Sequence, residues 1–188
     1  MSEFVVQYQI TPIHPEAHLF RVNCVINEPD PSGQRLSMPA WIPGSYMIRD
    51  FAKNIIELKA EVDDQPIELK KLDKSTWQAA PCVGPLTLTY EIYAWDLSVR
   101  TAHLDTSHAY FNGTSVFLRA HGQEDKKCSI DIQRPAGDNY VNWRVATAMS
   151  RLKAEHYGFG LYQADNYDEL VDHPVEMGTF THATFEAG

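Results

Sequence analysis

Several features that would assign the chain to a class by themselves are missing. Only three cysteines occur in 188 residues, Cys24, Cys82 and Cys128, an odd number and widely spaced. That argues against a disulfide framework and fits reduced, mostly buried thiols, so a cytoplasmic setting is expected. Nowhere do eighteen apolar residues run together, and the start from Met1 to Tyr8 lacks both a basic n-region and a continuous apolar h-region. Neither a membrane-spanning helix nor a signal peptide is therefore expected. Positive charge is scarce too: 16 Lys and Arg against 25 Asp and Glu leave a formal charge of −9. With no basic stripe to interrupt that balance, nucleic acid and anionic membrane are excluded as the main partners. The zinc motif H-E-x-x-H is absent as well. Its nearest approach, His14-Pro15-Glu16-Ala17-His18, puts the glutamate at the wrong position and a proline inside the segment, so the two imidazoles cannot share a helical face.

What is present is β patterning with enough apolar content, 44%, for one core. Phe20, Val22, Cys24 and Ile26 alternate with Arg21, Asn23 and Val25 between His18 and Asn27, following a first strand from Phe4 to Ile10. Further strands are predicted over Gln34–Met38, Asn54–Val62, Ile67–Lys70, Ser75–Gln78, Leu86–Trp95, Ser115–His121, Cys128–Gln133 and Asn142–Thr147. Asn54–Val62 is the cleanest of these, with Ile56, Leu58, Ala60 and Val62 on one face. The expected architecture is all-β, an antiparallel sandwich of about ten strands in one domain, residues 1–188. Helix is confined to one short piece after Asp165, where Asn166 can cap and Asp168 and Glu169 favour the first turn.

Three stretches stand out from this background. Pro39 to Phe51 carries Trp41, Tyr46 and Phe51 through a Pro/Gly-punctuated turn and sets Arg49 beside Asp50, a packed loop expected to be pinned by its aromatics and an ion pair. Asp96 to Gly113 is polar, aromatic and turn-rich. Within it, His103, Asp105 and His108 are the ligand types of a facial metal triad, but the local sequence does not enforce that geometry, so a hydrogen-bonded network is expected and no metal ligand is assigned. Residues 156–188 are rich in glycine and aromatics; after Pro174 they resume strand alternation and run on to Gly188 in that pattern, as in a piece of a longer protein.

Four motifs in order carry a resemblance: Trp41-Ile42-Pro43-Gly44-Ser45-Tyr46-Met47-Ile48-Arg49-Asp50-Phe51, Arg100 to Asp105, Tyr110-Phe111-Asn112-Gly113, and Tyr167 to Gly178. Together they resemble the N-terminal domain of the glycyl aminopeptidase family of zinc metallopeptidases. The resemblance implies a β-sandwich like the saddle domain of larger zinc aminopeptidases, docked on a thermolysin-like catalytic domain of the same chain, with a PDZ domain further on. Zinc would belong to that parent enzyme, and this segment would hold no cofactor of its own and be inactive alone. Within it, residues 156–188 would lead toward the catalytic domain. Glu176, Tyr46 and Arg49 are the candidate substrate-binding residues: Glu176 would hold the free amine of a peptide substrate, and Tyr46 and Arg49 would line the cleft. A second class stays open, a free-standing β-sandwich module that binds peptide or carbohydrate through aromatics of the Trp41 and Tyr110-Phe111-Asn112 loops.

Overall fold

The computed structural model describes residues 4–45 and 47–186. In chain order the strands are β1 (Val6–His14), β2 (Leu19–Ile26), β3 (Arg35–Ser37), β4 (Ile55–Val62), β5 (Gln65–Pro66), β6 (Leu69–Lys71), β7 (Thr76–Ala79) and β8 (Leu86–Tyr93). There follow β9 (Ala102–Leu104), β10 (His108–Phe111), β11 (Arg119–Ala120), β12 (Cys128–Ile132), β13 (Arg144–Ala146), β14 (Ser150–Arg151), β15 (Gly160–Ala164), the single helix α1 (Tyr167–Asp172) and β16 (Val175–Gly178). They form one eight-stranded sheet, β14-β15-β12-β1-β2-β8-β4-β5, and two four-stranded sheets, β13-β16-β10-β9 and β11-β3-β7-β6.

The all-β expectation holds, with three sheets in place of two. One pairing departs from an antiparallel sandwich: β1 lies parallel to β12, Val6 opposite Cys128 through Ile10 opposite Ile132. Parallel neighbours need a long crossover, and everything from β2 to β11 lies between them in the chain. Local patterning cannot announce a partner so distant.

Period-two alternation sets the core. Val6, Tyr8 and Ile10 on β1, Phe20, Val22, Cys24 and Ile26 on β2, and Leu86, Leu88, Tyr90 and Ile92 on β8 all face inward and are buried. Each large side chain among them contributes roughly 1.5–3 kcal/mol by leaving water. The inner face of β13-β16-β10-β9 answers with Val145, Val175, Met177, Ala109, Phe111, Ala102 and Leu104. Edge-on rings join the layers, Phe20 to Phe111 at 5.9 Å and Phe111 to Phe117 at 5.6 Å.

The predicted strand Ser115–His121 shrinks to the two residues of β11, because Val116-Phe117-Leu118 threads through the core without a ladder partner. Its backbone polar groups must be satisfied in another way. Three buried tyrosines do it: Tyr8 donates its hydroxyl to the Leu118 carbonyl (2.7 Å), Tyr90 to Val116 (2.8 Å) and Tyr167 to Phe117 (2.8 Å). Tyr90 also accepts from the Leu118 amide at 3.1 Å.

Strand β4 departs in detail. A register shift between Ile55 and Glu57 turns Ile56 outward, where it is 58% exposed, so the even-numbered face predicted from alternation holds only from Leu58 onward. After Gly178 the predicted strand ends, and residues 179–186 form no ladder. Among the described residues no helix is long and apolar enough to cross a membrane.

Candidate functional site

Much of the stretch read as loop from Asp96 to Gly113 is a hairpin. β9 and β10 pair Leu104 with Ala109, His103 with Tyr110 and Ala102 with Phe111. Asp105 makes the turn: one carboxylate oxygen accepts from the Ser107 amide (2.7 Å), the Ser107 hydroxyl (2.6 Å) and the His108 amide (3.0 Å). The signal was in the sequence, since Ala102, Leu104, Ala109 and Phe111 alternate with polar residues about an Asp-Thr-Ser turn. The density of polar residues masked it.

The hairpin continues into β16, where Glu176 pairs with Tyr110 and Gly178 with His108. On its far side β16 sets Glu176 against Ala146 and Gly178 against Arg144. Because alternate residues share a face, the outer surface of this sheet carries Arg144, His108, Glu176, Tyr110 and His103, and a bridge from His103 to Trp95 extends the row. Trp95, 53% exposed, stacks on His103 at 5.0 Å and on His18 at 3.8 Å. His18 in turn makes a 2.7 Å hydrogen bond with the Leu104 carbonyl, so this imidazole is tied to the hairpin, while His14 pairs with Glu16 at the surface.

Electrostatics on this face are uneven. Half-burial pushes the Glu176 carboxyl above its ordinary value, with His108 pulling it partly back. The phenol of Tyr110 is raised by burial and then by the Glu176 charge. Burial also works against ionisation of Asp105, but the donors from Ser107 and His108, with His103 at 3.2 Å, outweigh it and hold that carboxyl far below the carboxylate range. A half-buried carboxylate beside a phenol can accept a primary ammonium, which is the chemistry the sequence reading assigned to Glu176.

Of the other two candidates, Tyr46 lies outside the described residues. Arg49 donates to the Ser45 hydroxyl (2.9 Å) and the Met47 carbonyl (3.1 Å). It borders a depression of about 430 Å³ shared with Met47, Phe51, Tyr93 and Trp95, so Trp95 links Arg49 to the row that ends at Glu176. The ion pair predicted beside it is with another partner: Asp50 has left-handed backbone (φ 51°) and meets Lys74 at 2.8 Å. Exposed apolar side chains belong to the two segments that border the depression, Met47 and Ile48 beside Arg49, and Trp95, Leu97 and Val99 after β8. Of the two aromatic loops proposed for a free-standing module, the second is no loop. Phe111 is fully buried in β10 and Asn112 caps the following turn through Thr114. Trp41 is half exposed over a cleft of about 740 Å³ closed on its far side by α1.

Three β-sheets with one short helix, an open polar sheet face and exposed apolar side chains beside it define the class of fold. The chain belongs to the Peptidase M61 N-terminal domain family, whose profile matches residues 7–179. Among solved structures it resembles an aminopeptidase N family protein from Idiomarina loihiensis, 42% identical with a TM-score of 0.92 over 97% of this chain. It spans only 30% of that protein. An M1 zinc metallopeptidase from Deinococcus radiodurans is 11% identical with a TM-score of 0.48, covering 92% of this chain and 41% of that one. No protein of curated function matches.

Proposed function

We propose that the chain is the non-catalytic N-terminal domain of a zinc-dependent aminopeptidase of the glycyl aminopeptidase kind, docked on the catalytic domain of its parent and bordering the substrate cleft. The observation that carries this reading is the outer face of β13-β16-β10-β9. There a half-buried carboxylate, Glu176, stands in a row with Tyr110, His103 and Trp95, beside the exposed apolar side chains of Met47, Ile48, Leu97 and Val99. Exposed apolar side chains beside a polar centre suit an interdomain surface. Membership of a peptidase N-terminal family supports it, as does the likeness to an aminopeptidase N family protein more than three times longer. The residues present do not fit the catalytic zinc of such an enzyme, because H-E-x-x-H occurs nowhere in the sequence. Hydrolysis, the metal and any PDZ module would belong to the rest of the parent.

In this reading Glu176 receives the free α-amine of the peptide as it enters the cleft, and Arg49 lies at the opposite margin. The test is Glu176→Gln in the full-length parent. Loss of the charged partner should reduce kcat/KM by about 30-fold or more on substrates with a free amine and far less on N-blocked ones. Equal losses on both would make Glu176 a structural residue of the interface. The cleft under Trp41 favours one second reading, a peptide-binding depression between the Trp41 loop and α1. Trp41→Ala would then weaken peptide binding to the isolated chain, whereas docking of the parent's domains would be unchanged.

A further inference from the structure

The hairpin at the centre of the outer face gathers the side chains of His103, Asp105 and His108. One ligand atom from each, two imidazole nitrogens and a carboxylate oxygen, lie within 4.8 Å of one another, and this is the one such group found among the described residues. Three features speak to what the group can hold. The first is ring spacing. Two imidazoles that share a metal at about 2.1 Å from nitrogen, at angles between octahedral and tetrahedral, must have ring centres about 4.6–5.3 Å apart. The His103 and His108 rings are 4.9 Å apart.

The second is the hydrogen-bond inventory of His103. This ring is buried, faces Asp105 through Nε2 at 3.2 Å, and leaves Nδ1 without a hydrogen-bond partner. Nε2 is therefore the nitrogen that His103 can give to an ion shared with the Asp105 carboxylate. The third is rigidity. The Asp105 oxygen that closes the turn is held by three donors from Ser107 and His108, while its other oxygen points to His103. The hairpin ladder fixes the spacing of the two histidines, and Trp95 stacks on the outer side of His103. Preorganised ligands on one rigid element are what a metal site needs and what separated surface histidines lack.

We infer that His103, Asp105 and His108 form a binding site for a divalent first-row transition ion, with positions left open to water or a further ligand. Two imidazoles and one carboxylate select zinc, cobalt or nickel over magnesium or calcium, which take all-oxygen shells. Glu176 lies one strand pairing from Tyr110 on the same face, so an ion here would sit beside the carboxylate that the functional reading assigns to substrate. The inference does not depend on that reading.

The test is equilibrium dialysis and calorimetry of the purified chain against zinc, with cobalt as the spectroscopic probe. One equivalent of zinc should bind, and the cobalt complex should show visible d–d bands. His108→Gln and Asp105→Asn each remove a ligand at a partly exposed position; Asn keeps a turn-closing acceptor. Each should weaken zinc at least about tenfold and abolish the cobalt bands with the circular dichroism unchanged. His14→Gln, at the unrelated surface pair with Glu16, should bind as the parent chain does. Zinc that binds at less than one equivalent, or that binds His108→Gln and Asp105→Asn as tightly as the unaltered chain, overturns the site.

Discussion

Single residues set the chemistry of the outer face, and Glu176 shows how. Its folded-state carboxyl is raised by burial above the ordinary value, so ionising it opposes folding of the isolated chain. The stability that the protonated form contributes is complete below the unfolded-state value and is lost as pH rises through the raised one. Glu176→Gln in the isolated chain should therefore raise the melting temperature at pH 7 and leave it nearly unchanged at pH 4, as thermal melts at the two values would show. Asp105 runs the other way. Its carboxyl is held low, so its contribution is present above the unfolded value and lost as pH falls through the acid range. Removing the turn acceptor in Asp105→Ala should cost roughly 1–3 kcal/mol at neutral pH, read from urea melts. The thiols make a third case. Cys24 and Cys128 are buried; burial raises both, Cys128 to about 12, with Glu169 and Asp165 adding to the shift. A native thiol titration should find one reactive group, Cys82, and three after denaturation; more than one in the native state would mean that the β2 or β12 core face opens.

At the scale of elements, the segment Val116-Phe117-Leu118 shows how a chain can cross a core without being a strand. Tyr8, Tyr90 and Tyr167 come from β1, β8 and α1 and supply the partners that a ladder would have supplied. Tyr90 serves two backbone groups at once, so Tyr90→Phe leaves a carbonyl and an amide unpaired in the interior and should cost about 2–4 kcal/mol. Tyr167→Phe, which frees one carbonyl, should cost less, and equal losses would show that water reaches the segment. Gly113 marks another close approach. A Cβ there would lie 2.6 Å from the Val171 Cα of α1, so Gly113→Ala must push the helix off the hairpin and should destabilise by roughly 1–3 kcal/mol. The same displacement moves Glu169, whose amide is capped by Asn166 at 2.8 Å, and loss of helix protection in hydrogen exchange would report it.

For the whole molecule the proposed function poses the question of how an acidic β domain with exposed apolar side chains would meet a catalytic domain. Leu97 and Val99, 74% and 69% exposed, lie on the loop that the Tyr110 hydroxyl ties down through the Val99 carbonyl at 2.8 Å. If they belong to the docking surface, Leu97→Asp combined with Val99→Asp should leave the chain folded and abolish its association with the remainder of the parent supplied in trans. Association that survives both substitutions would move the interface to another face. Neither substitution alters the hairpin ligands, so zinc binding at His103, Asp105 and His108 should persist in the same variant.

Period-two alternation, which needs only neighbours in sequence, was enough to place most of the long strands and the buried faces of β1, β2 and β8, and the Asn166 cap with its acidic first turn was enough to place the helix after Asp165. The four motifs pointed to the N-terminal domain of a peptidase family, and at that level the match to the Peptidase M61 N-terminal domain agrees with them. Neither could assign partners: the parallel union of β1 with β12 joins residues more than a hundred positions apart, and the unladdered crossing of Val116 to Leu118 is possible only because three distant tyrosines converge on it. The candidate residues divide in the same way. Glu176 was chosen from its place after Pro174, but the pairing that sets it beside Tyr110, and so in one row with His103 and Trp95, joins residues 66 positions apart. His103, Asp105 and His108 are close in sequence and carried no enforced geometry as a string of residues. Only the hairpin, closed by Asp105 on Ser107 and held by β16, turns that spacing into a constellation, because the distances between these side chains are set by backbone pairing and turn geometry and not by their order in the sequence.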